Sequence, residues 1–599
     1  MHVIDYTIVG VYLLSIVLVG LYLKGKASSD IESYFLGSRN IPWWALGASG
    51  MASNTDIAGT MIGVALVYAM GTAGFFIEIR GGVVLVLAFF MIFMGKWTRR
   101  SQVMTSAEWM RYRFGAGKQG DTARILSAIA NILFTIAMVS YFAIGAGKFA
   151  GEFLGIDWKI AALLMAGLAL TYTVASGLYG VVWTDVFQGV LIFGAIVFVC
   201  VKAITTVTLP EVFSTSVPLA DGTFQTIQMK LSDWSRITPP TTMDLPGVYS
   251  MYNLFGLAIT FYLFKIVLEG SSGGNGYMVQ RYLSSKSDRE AGLLSLLWTL
   301  LLTFRWPLII SFAMLGIHYG MNNTVIADPE LVLPTVLQNY LPIGIKGVLV
   351  AAFMAAAMST FDSTVNAGAA FWVRDLYQAF INPEASEKKL ILQSRIGSIG
   401  IVVLGLLFSF SVSNINDVWG WISMGISAGL FVPQILRWYW SRFNGYGYAI
   451  GTFTGIVVAV LLRLVGGQIP EYYFFIVASL SSLLGCVVGT YLTPETERGV
   501  LENFYKTTRP FGLWGSIKNV FPESVRSKIR KENQRDIIST VIAIVWQLSL
   551  FLSGMMLILG HWEKLSALLI VFLVASVFLY FNWYRHLSDE VNYDGEVKL

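Results

Sequence analysis

Ser53, Asn54, Thr55 and Asp56 stand side by side inside an apolar stretch that runs from about Trp43 to Tyr68. Their amide, hydroxyl and carboxylate oxygens are the groups that coordinate small ions and polar solutes. A plain membrane helix does not carry such a run at its middle, because an ionisable group near the bilayer centre costs at least ~2.5 kcal/mol on insertion scales. The run predicts a helix that comes apart at mid-membrane, where freed carbonyls hold a cation and freed N–H groups hold an anionic or polar solute. Residues 269–276, Glu-Gly-Ser-Ser-Gly-Gly-Asn-Gly, repeat the pattern with four glycines in eight positions. Each glycine costs roughly 1 kcal/mol in a helix interior, so the backbone is expected to unwind there as well. Further polar residues interrupt other apolar runs: Asp185, the pair Glu78 and Arg80, the pair Lys265 and Glu269, the adjacent hydroxyls Ser359 and Thr360, and Asp362. No His/Glu metal pair or nucleophile–base pair falls within these runs, which counts against a membrane-embedded enzyme. His2, His318, His561 and His586 lack metal-ligand spacing.

The elements that must position these groups are membrane helices. Of 599 residues, 55% are hydrophobic and 13% charged, against about 25% charged in soluble domains. The chain therefore reads as an all-α integral membrane protein. Apolar runs long enough to span fall near 6–24, 43–68, 72–95, 124–147, 159–177, 184–207, 249–270, 290–317, 344–371, 391–412, 415–438, 447–466, 471–492, 536–559 and 563–584, about 15 helices. No small-residue cleavage site follows the first, so it reads as a helix and not a signal peptide. Cys200 and Cys486 lie in apolar runs and read as small core residues. The net charge of +5 calls for no nucleic acid; basic residues facing the cytoplasm account for it.

Lysine and arginine in the connections set orientation. Residues 96–124 carry Lys96, Arg99, Arg100, Arg111, Arg113, Lys118 and Arg124, and residues 493–535 carry nine. The alternate connections hold Lys159, Lys230, Arg236, Lys346 and Lys564. This pattern places the N-terminus outside and the C-terminus in the cytoplasm, in the plasma (inner) membrane. Residues 208–248 predict an ordered loop or short helix over the outer mouth, and residues 318–343 are similar. For 493–535, with Trp514, Phe521 and the basic run Arg526 to Lys531, two readings stand: an amphipathic helix on the membrane surface or a solvated linker.

The segmentation is 1–42, an extra helix and inner loop; 43–207, a five-helix unit; 208–248, an outer loop; 249–438, a second five-helix unit; 447–492, two peripheral helices; 493–535, the basic segment; and 536–599, two helices and a tail. The first helix of each unit is the interrupted one, and the two run in opposite directions. Two such units are the signature of an inverted-repeat secondary transporter.

Five motifs in order then resemble the sodium/solute symporter family, which includes bacterial proline, galactose and sialic acid transporters and animal sodium/glucose transporters. They are Tyr34-Phe35-Leu36-Gly37-Ser38-Arg39, the segment from Gly177 to Gln188 with Trp183-Thr184-Asp185, Gln280-Arg281-Tyr282-Leu283-Ser284-Ser285-Lys286-Ser287, Ala356-Ala357-Met358-Ser359-Thr360, and Trp440-Ser441-Arg442-Phe443-Asn444-Gly445. The resemblance runs from about Tyr6 to residue 492 and implies a LeuT-like inverted repeat with sodium as coupling ion and no organic cofactor.

By position, the resemblance assigns the common sodium site to the carbonyls of Asn54, Ile57 and Ala356 and the hydroxyls of Ser359 and Thr360. The alternative for the two hydroxyls is a bond back to carbonyls of their own helix. Asp362 and Ser363 stand where some members carry two serines that hold a second sodium beside a residue like Asp185. Asp185, Asp362 and Ser363 are thus a candidate second cation or proton site. The alternative pairs Asp362 with Lys148, Lys265 or Arg305.

The solute candidates are Asp56, Thr60, Glu78, Arg80, Lys265, Glu269, Ser271, Ser272 and Asn275. Asp56 matches an aspartate of proline-transporting members, or caps freed N–H groups of the inner half-helix. Glu78 matches a glutamate that holds sugar hydroxyls in galactose-transporting members. Arg80, two residues on and on another helix face, offers a carboxylate-binding group or pairs with Asp56 or Glu269. Lys265 and Glu269, four apart, can pair with each other. Phe75, Phe76, Tyr141 and Phe142 are candidate walls. The small residues of the second break stand where some sugar carriers place an aromatic gate, which implies a roomier pocket.

The resulting expectation is sodium-coupled import of a small polar solute (sugar, amino acid or organic acid) by alternating access, in a monomer or weak oligomer within the lipid bilayer. A proton-coupled carrier on the same fold is the nearest alternative; a channel or sensor is further off.

Overall fold

A computed structural model describes residues 1–27, 35–39, 41–274, 276–411, 414–465 and 470–588. In hydrocarbon every backbone polar group must be satisfied within the protein, and this chain answers with helices almost throughout. Eleven helices among the described residues are long and apolar enough to cross a membrane. Shorter apolar helices lie at Val3–Ile16, Ile57–Met70 and Trp158–Thr171.

We number the elements that position the site as α1 (Val3–Ala27), α2 (Trp43–Asn54), α3 (Ile57–Met70), α4 (Thr72–Ile77), α5 (Val86–Phe89), α6 (Gly95–Arg100), α7 (Lys118–Leu154), α8 (Trp158–Thr206), α9 (Phe255–Ser272), α10 (Gly276–Leu283), α11 (Asp288–Leu302), α12 (Arg305–Asn322), α13 (Ile345–Ala370), α14 (Glu387–Ser409), α15 (Ile415–Trp421), α16 (Ser427–Tyr439), α17 (Gly445–Val465), α18 (Glu471–Leu492), α19 (Arg498–Thr508), α20 (Glu523–Ile558) and α21 (Trp562–Asn582). The 49-residue α8 would run about 74 Å if straight, far more than a bilayer core. Its Thr173 and Asp185 instead hydrogen-bond to Asp362 and Ser359, three positions apart on α13. Twelve helical residues would separate the two by about 18 Å, so the segment is not straight between them.

Both foreseen breaks are present. The first lies at Thr55 and Asp56, between α2 and α3. The second lies between α9 and α10, where Gly273 and Gly274 take φ of +91° and +64°, left-handed values that favour glycine. A third break was not foreseen. The apolar run 72–95, read as one span, is a short α4, a 3-10 turn at Glu78–Arg80, an irregular stretch through Gly81 and Gly82, then α5 and a π-helical turn at Phe90–Met94. Val84 there has a φ of +54°, an outlier for a β-branched residue.

Two connections also differ from expectation. The loop after α8 contains an antiparallel hairpin, β1 (Val212–Pro218) with β2 (Phe224–Lys230), so the chain is not wholly helical. It folds over the end of α3: the Thr215 hydroxyl reaches the Ala69 carbonyl at 3.4 Å. On another face, the segment 498–521 opens with the helix α19 and packs on the protein rather than standing free as a solvated linker. Trp514 is fully buried, stacked on Phe504 at 5.4 Å, with Phe504 against Trp109 and Trp438. Aromatic area, too large to leave in water, docks the segment onto the helix bundle. The basic run Arg526 to Lys531 opens the long α20.

Candidate cation and solute site

The first break exposes the C-terminal carbonyls of α2 and the N-terminal N–H groups of α3. Asp56 caps the second: its carboxylate accepts from the Gly59 N–H at 2.6 Å and from the Tyr141 hydroxyl at 3.0 Å. The capped half-helix is thus the one after the break, α3, and not the one before it, whose open end has only carbonyls to offer. Thr60 donates to the Asp56 carbonyl at 2.6 Å and is fully buried, which ties it to the cap.

The hydroxyl pair of α13 splits between two neighbourhoods. Thr360 Oγ1 lies 2.8 Å from the Ser53 carbonyl and 3.1 Å from the Ala356 carbonyl, so it bonds both across to the break and back to its own helix. Ser359 donates to the Asp185 carboxylate. The Asn54 carbonyl is taken by Arg305 Nη1 at 2.8 Å. Ile57 is buried at the start of α3. The structure therefore brings Thr360, Ala356 and the end of α2 together, with Ser53 as the nearest carbonyl and a guanidinium on Asn54.

Asp185, Ser363, Ser49 and Ser53 form a second polar cluster, and Arg281 of α10 sits inside it. Its Nη2 lies 3.3 Å from Asp185, 3.0 Å from the Ser363 hydroxyl and 2.8 Å from that of Ser53, and Arg281 and Asp185 are fully buried. Asp362 accepts from Thr173 at 2.5 Å. The three basic residues weighed as its partners are engaged elsewhere: Lys148 with Glu330 at 2.6 Å, Lys265 with Glu269 at 2.7 Å, and Arg305 at the first break.

Arg80 meets neither Asp56 nor Glu269. Glu78 and Arg80 lie two residues apart in a 3-10 turn over 78–80 and nevertheless pair at 3.1 Å. Arg80 also binds Glu471 of α18 and the Asn416 amide, and it is fully buried. Its carbonyl accepts from Lys265 Nζ at 2.6 Å.

Two cavities adjoin the breaks. One, about 360 Å³, is lined by Asp56, Glu78, Tyr141, Arg305, Thr360 and Trp419 among others. Another, about 890 Å³ counted to its mouth, is lined by Lys265, Glu269, Thr364, Ser423, Ser427 and Phe431 among others. Asn54 and Tyr277 line both and are joined by a hydrogen bond of 2.8 Å. The second break thus carries an aromatic after all, immediately beyond its small residues. Ser272 turns inward to its own backbone, its hydroxyl on the Glu269 carbonyl at 2.7 Å. Neither Ser271 nor Ser272 lines these two cavities; Asn275 lies outside the described residues. Phe142 lines the smaller cavity, whereas Phe75 and Phe76 line neither. Tyr277 and Glu471 were not singled out from the sequence, Arg281 was named only within a motif, and Arg305 only as a partner for Asp362. Each is a polar or charged group within or at the edge of an apolar run.

A family model described as the sodium:solute symporter family matches residues 34–455. The chain belongs to the sodium:solute symporter family. It is accordingly a carrier that couples a small solute to sodium, not an enzyme. The sodium/glucose cotransporter of Vibrio parahaemolyticus is 26% identical over 552 residues, 85% of this chain and 95% of that protein. The sodium/sialic acid symporter SiaT of Proteus mirabilis is 25% identical over 516 residues, 82% of this chain and 95% of the relative. The sodium/mannose cotransporter of Bos taurus is 25% identical over 585 residues, 89% of this chain and 92% of the relative. Among solved structures, an outward-open Na+-coupled sialic acid symporter aligns with a TM-score of 0.65 at 20% identity, covering 83% of this chain and 99% of that one. The shared fold is thus the helical inverted repeat of those carriers.

Proposed function

We propose that the solute is a neutral polyhydroxylated molecule, a sugar or polyol, carried inward with sodium. The observation that carries this reading is the placement of Arg80. It is locked between Glu78 and Glu471 and absent from the lining of both cavities; Arg305, the guanidinium that does line the smaller cavity, is held by the Asn54 and Gly82 carbonyls. Lys265 is likewise paired with Glu269. The smaller cavity keeps a carboxylate, Glu78, and the rings of Tyr141 and Trp419, whose centroids are 5.1 Å apart. Carboxylates accept sugar hydroxyls with charge-assisted hydrogen bonds, and flat rings cover the apolar face of a pyranose. Two of the relatives named above are carriers of glucose and mannose, and one is a carrier of sialic acid.

Sodium is held where the end of α2 meets α13, by neutral oxygens from the set Asn54, Ile57, Ala356, Ser359 and Thr360, with Ser53 added on geometric grounds. Such a site binds a hard monovalent cation weakly enough to release it. The Asp185, Asp362 and Ser363 cluster already has the Arg281 guanidinium among its oxygens, which favours one sodium per solute. The N-terminus lies outside, so the basic face carrying residues 96–124 and 493–535 is cytoplasmic.

Thermal stabilisation of the purified protein by D-glucose, D-mannose, myo-inositol, sialic acid and L-proline, each in sodium and in potassium, tests this. A sodium-dependent shift with a sugar or polyol supports the reading. A shift with sialic acid or L-proline alone overturns the solute class, and equal shifts in both salts overturn the coupling.

A further inference from the structure

The unforeseen break at residues 78–85 is held open from outside. Its carbonyls do not complete a helical ladder. That of Arg80 accepts from Lys265 at 2.6 Å and that of Gly82 from Arg305 at 3.2 Å. Those of Val83 and Val84 accept from the side-chain amide of Gln547, at 3.5 and 3.1 Å. Lys265 and Arg305 belong to α9 and α12, within the region shared with the family. Gln547 belongs to α20, beyond residue 455 where that match ends.

We infer that Gln547 is a positioning residue for the solute site, and that the appended helix α20 therefore belongs to the transport machinery. Val84 lines both cavities in a left-handed conformation that a β-branched residue adopts only when its surroundings impose it. Gln547 is 1% exposed, an amide buried within a hydrophobic helix; such a group persists where it has a partner to satisfy. Its Nε2 supplies a donor to both carbonyls, that of Val84 also accepting from the Leu87 N–H at 3.1 Å. The same helix packs at Gly554 on Pro307: a Cβ there would meet the proline ring at 2.7 Å. Pro307 is two residues from Arg305, so α20 braces both the Val83–Val84 carbonyls and the helix that delivers Arg305. Loss of the amide lets residues 81–85 relax, and the wall bearing Glu78 and Gly81 shifts with them.

This inference rests on the carrier reading for its functional arm and on geometry alone for its structural arm. The test compares full-length wild type with Gln547→Met, which keeps the side-chain length and removes the donor, and with Val545→Ala on the lipid-facing side as control. Hydrogen–deuterium exchange of peptides covering 78–89 is expected to rise about tenfold in Q547M with other peptides unchanged. Uptake of whichever of D-glucose, D-mannose or myo-inositol the wild type accepts is expected to show KM raised about fivefold with kcat within about twofold. Unchanged exchange in 78–89, or a rise spread over the whole chain, overturns the brace. A local rise with unchanged KM overturns the positioning role. If wild type accepts none of the three, the solute reading has failed, and the exchange result alone decides whether Gln547 braces the break.

Discussion

The hydroxyl of Thr360 meets the carbonyl of Ser53 at 2.8 Å across 307 positions of sequence. This contact joins the open end of one interrupted helix to an intact one, and it is where neutral oxygens from two repeats converge. A cation bound there would hold α2 and α13 together, so its affinity is coupled to their relative position.

Thr360→Ala removes the side-chain oxygen of α13 that meets the Ser53 carbonyl. The concentration of sodium giving half-maximal uptake is expected to rise about tenfold, equivalent to ~1.4 kcal/mol of binding. Thr360→Ser, which keeps the hydroxyl, is expected to remain within about threefold of wild type, a difference of less than ~1 kcal/mol. A sodium titration of uptake distinguishes them.

Arg281 and Asp185 are both fully buried at 3.3 Å. Removing one partner strands a charge, so Arg281→Met is expected to cost about 3–5 kcal/mol. The double variant with Asp185→Asn should recover part of that loss, with a coupling of ~1–3 kcal/mol in a denaturation cycle. With the guanidinium seated among these oxygens, the sodium dependence of wild-type uptake is expected to be hyperbolic. A sigmoidal dependence contradicts the single-sodium reading.

Glu78 and Arg80 should separate by assay. Glu78→Gln weakens a charge-assisted hydrogen bond to the solute, a loss of about 1.5–3 kcal/mol, and raises KM. Arg80→Met leaves Glu471 buried beside a second carboxylate and is expected to lower thermal stability first. Glu471→Gln in the same background should restore stability if the pair is structural.

Trp514→Ala opens a cavity in the aromatic cluster around Phe504 and is expected to cost about 3–5 kcal/mol. Trp438 of that cluster donates to the Ser272 carbonyl at 3.0 Å, at the second break, so the prediction is confined to the first: half-saturation by sodium should not move. Denaturant unfolding and the sodium titration read the two effects separately.

What could be read in sequence was what is local. Ser53 to Asp56 and the glycines at 273, 274 and 276 announce their breaks because polarity and backbone freedom are properties of a few adjacent residues. The break at 78–85 carried weaker signals: Glu78 and Arg80 were read as side chains on a continuous helix, and the Gly81-Gly82 pair was not singled out. The turn there depends on partners 185 to 464 positions away, among them Lys265, Arg305 and Gln547. Arg281 and Arg305 were visible as charges within or beside apolar runs, yet nothing local says which oxygens they meet. Glu471 looked like an ordinary helix-start acid, and only its approach to Arg80 makes it part of the core. Trp514 and Phe521 showed an aromatic segment but not the surface that receives it.

The most direct test of the account is the thermal stability of the purified wild-type protein titrated with sodium chloride against potassium chloride at constant ionic strength. Stability should rise with sodium as RT ln(1 + [Na+]/Kd), about 2.7 kcal/mol at 100 Kd. The rise should be absent in potassium and largely lost in Thr360→Ala. Identical curves in the two salts, or a sodium response that Thr360→Ala leaves intact, would contradict a sodium site at the meeting of Ser53 and Thr360.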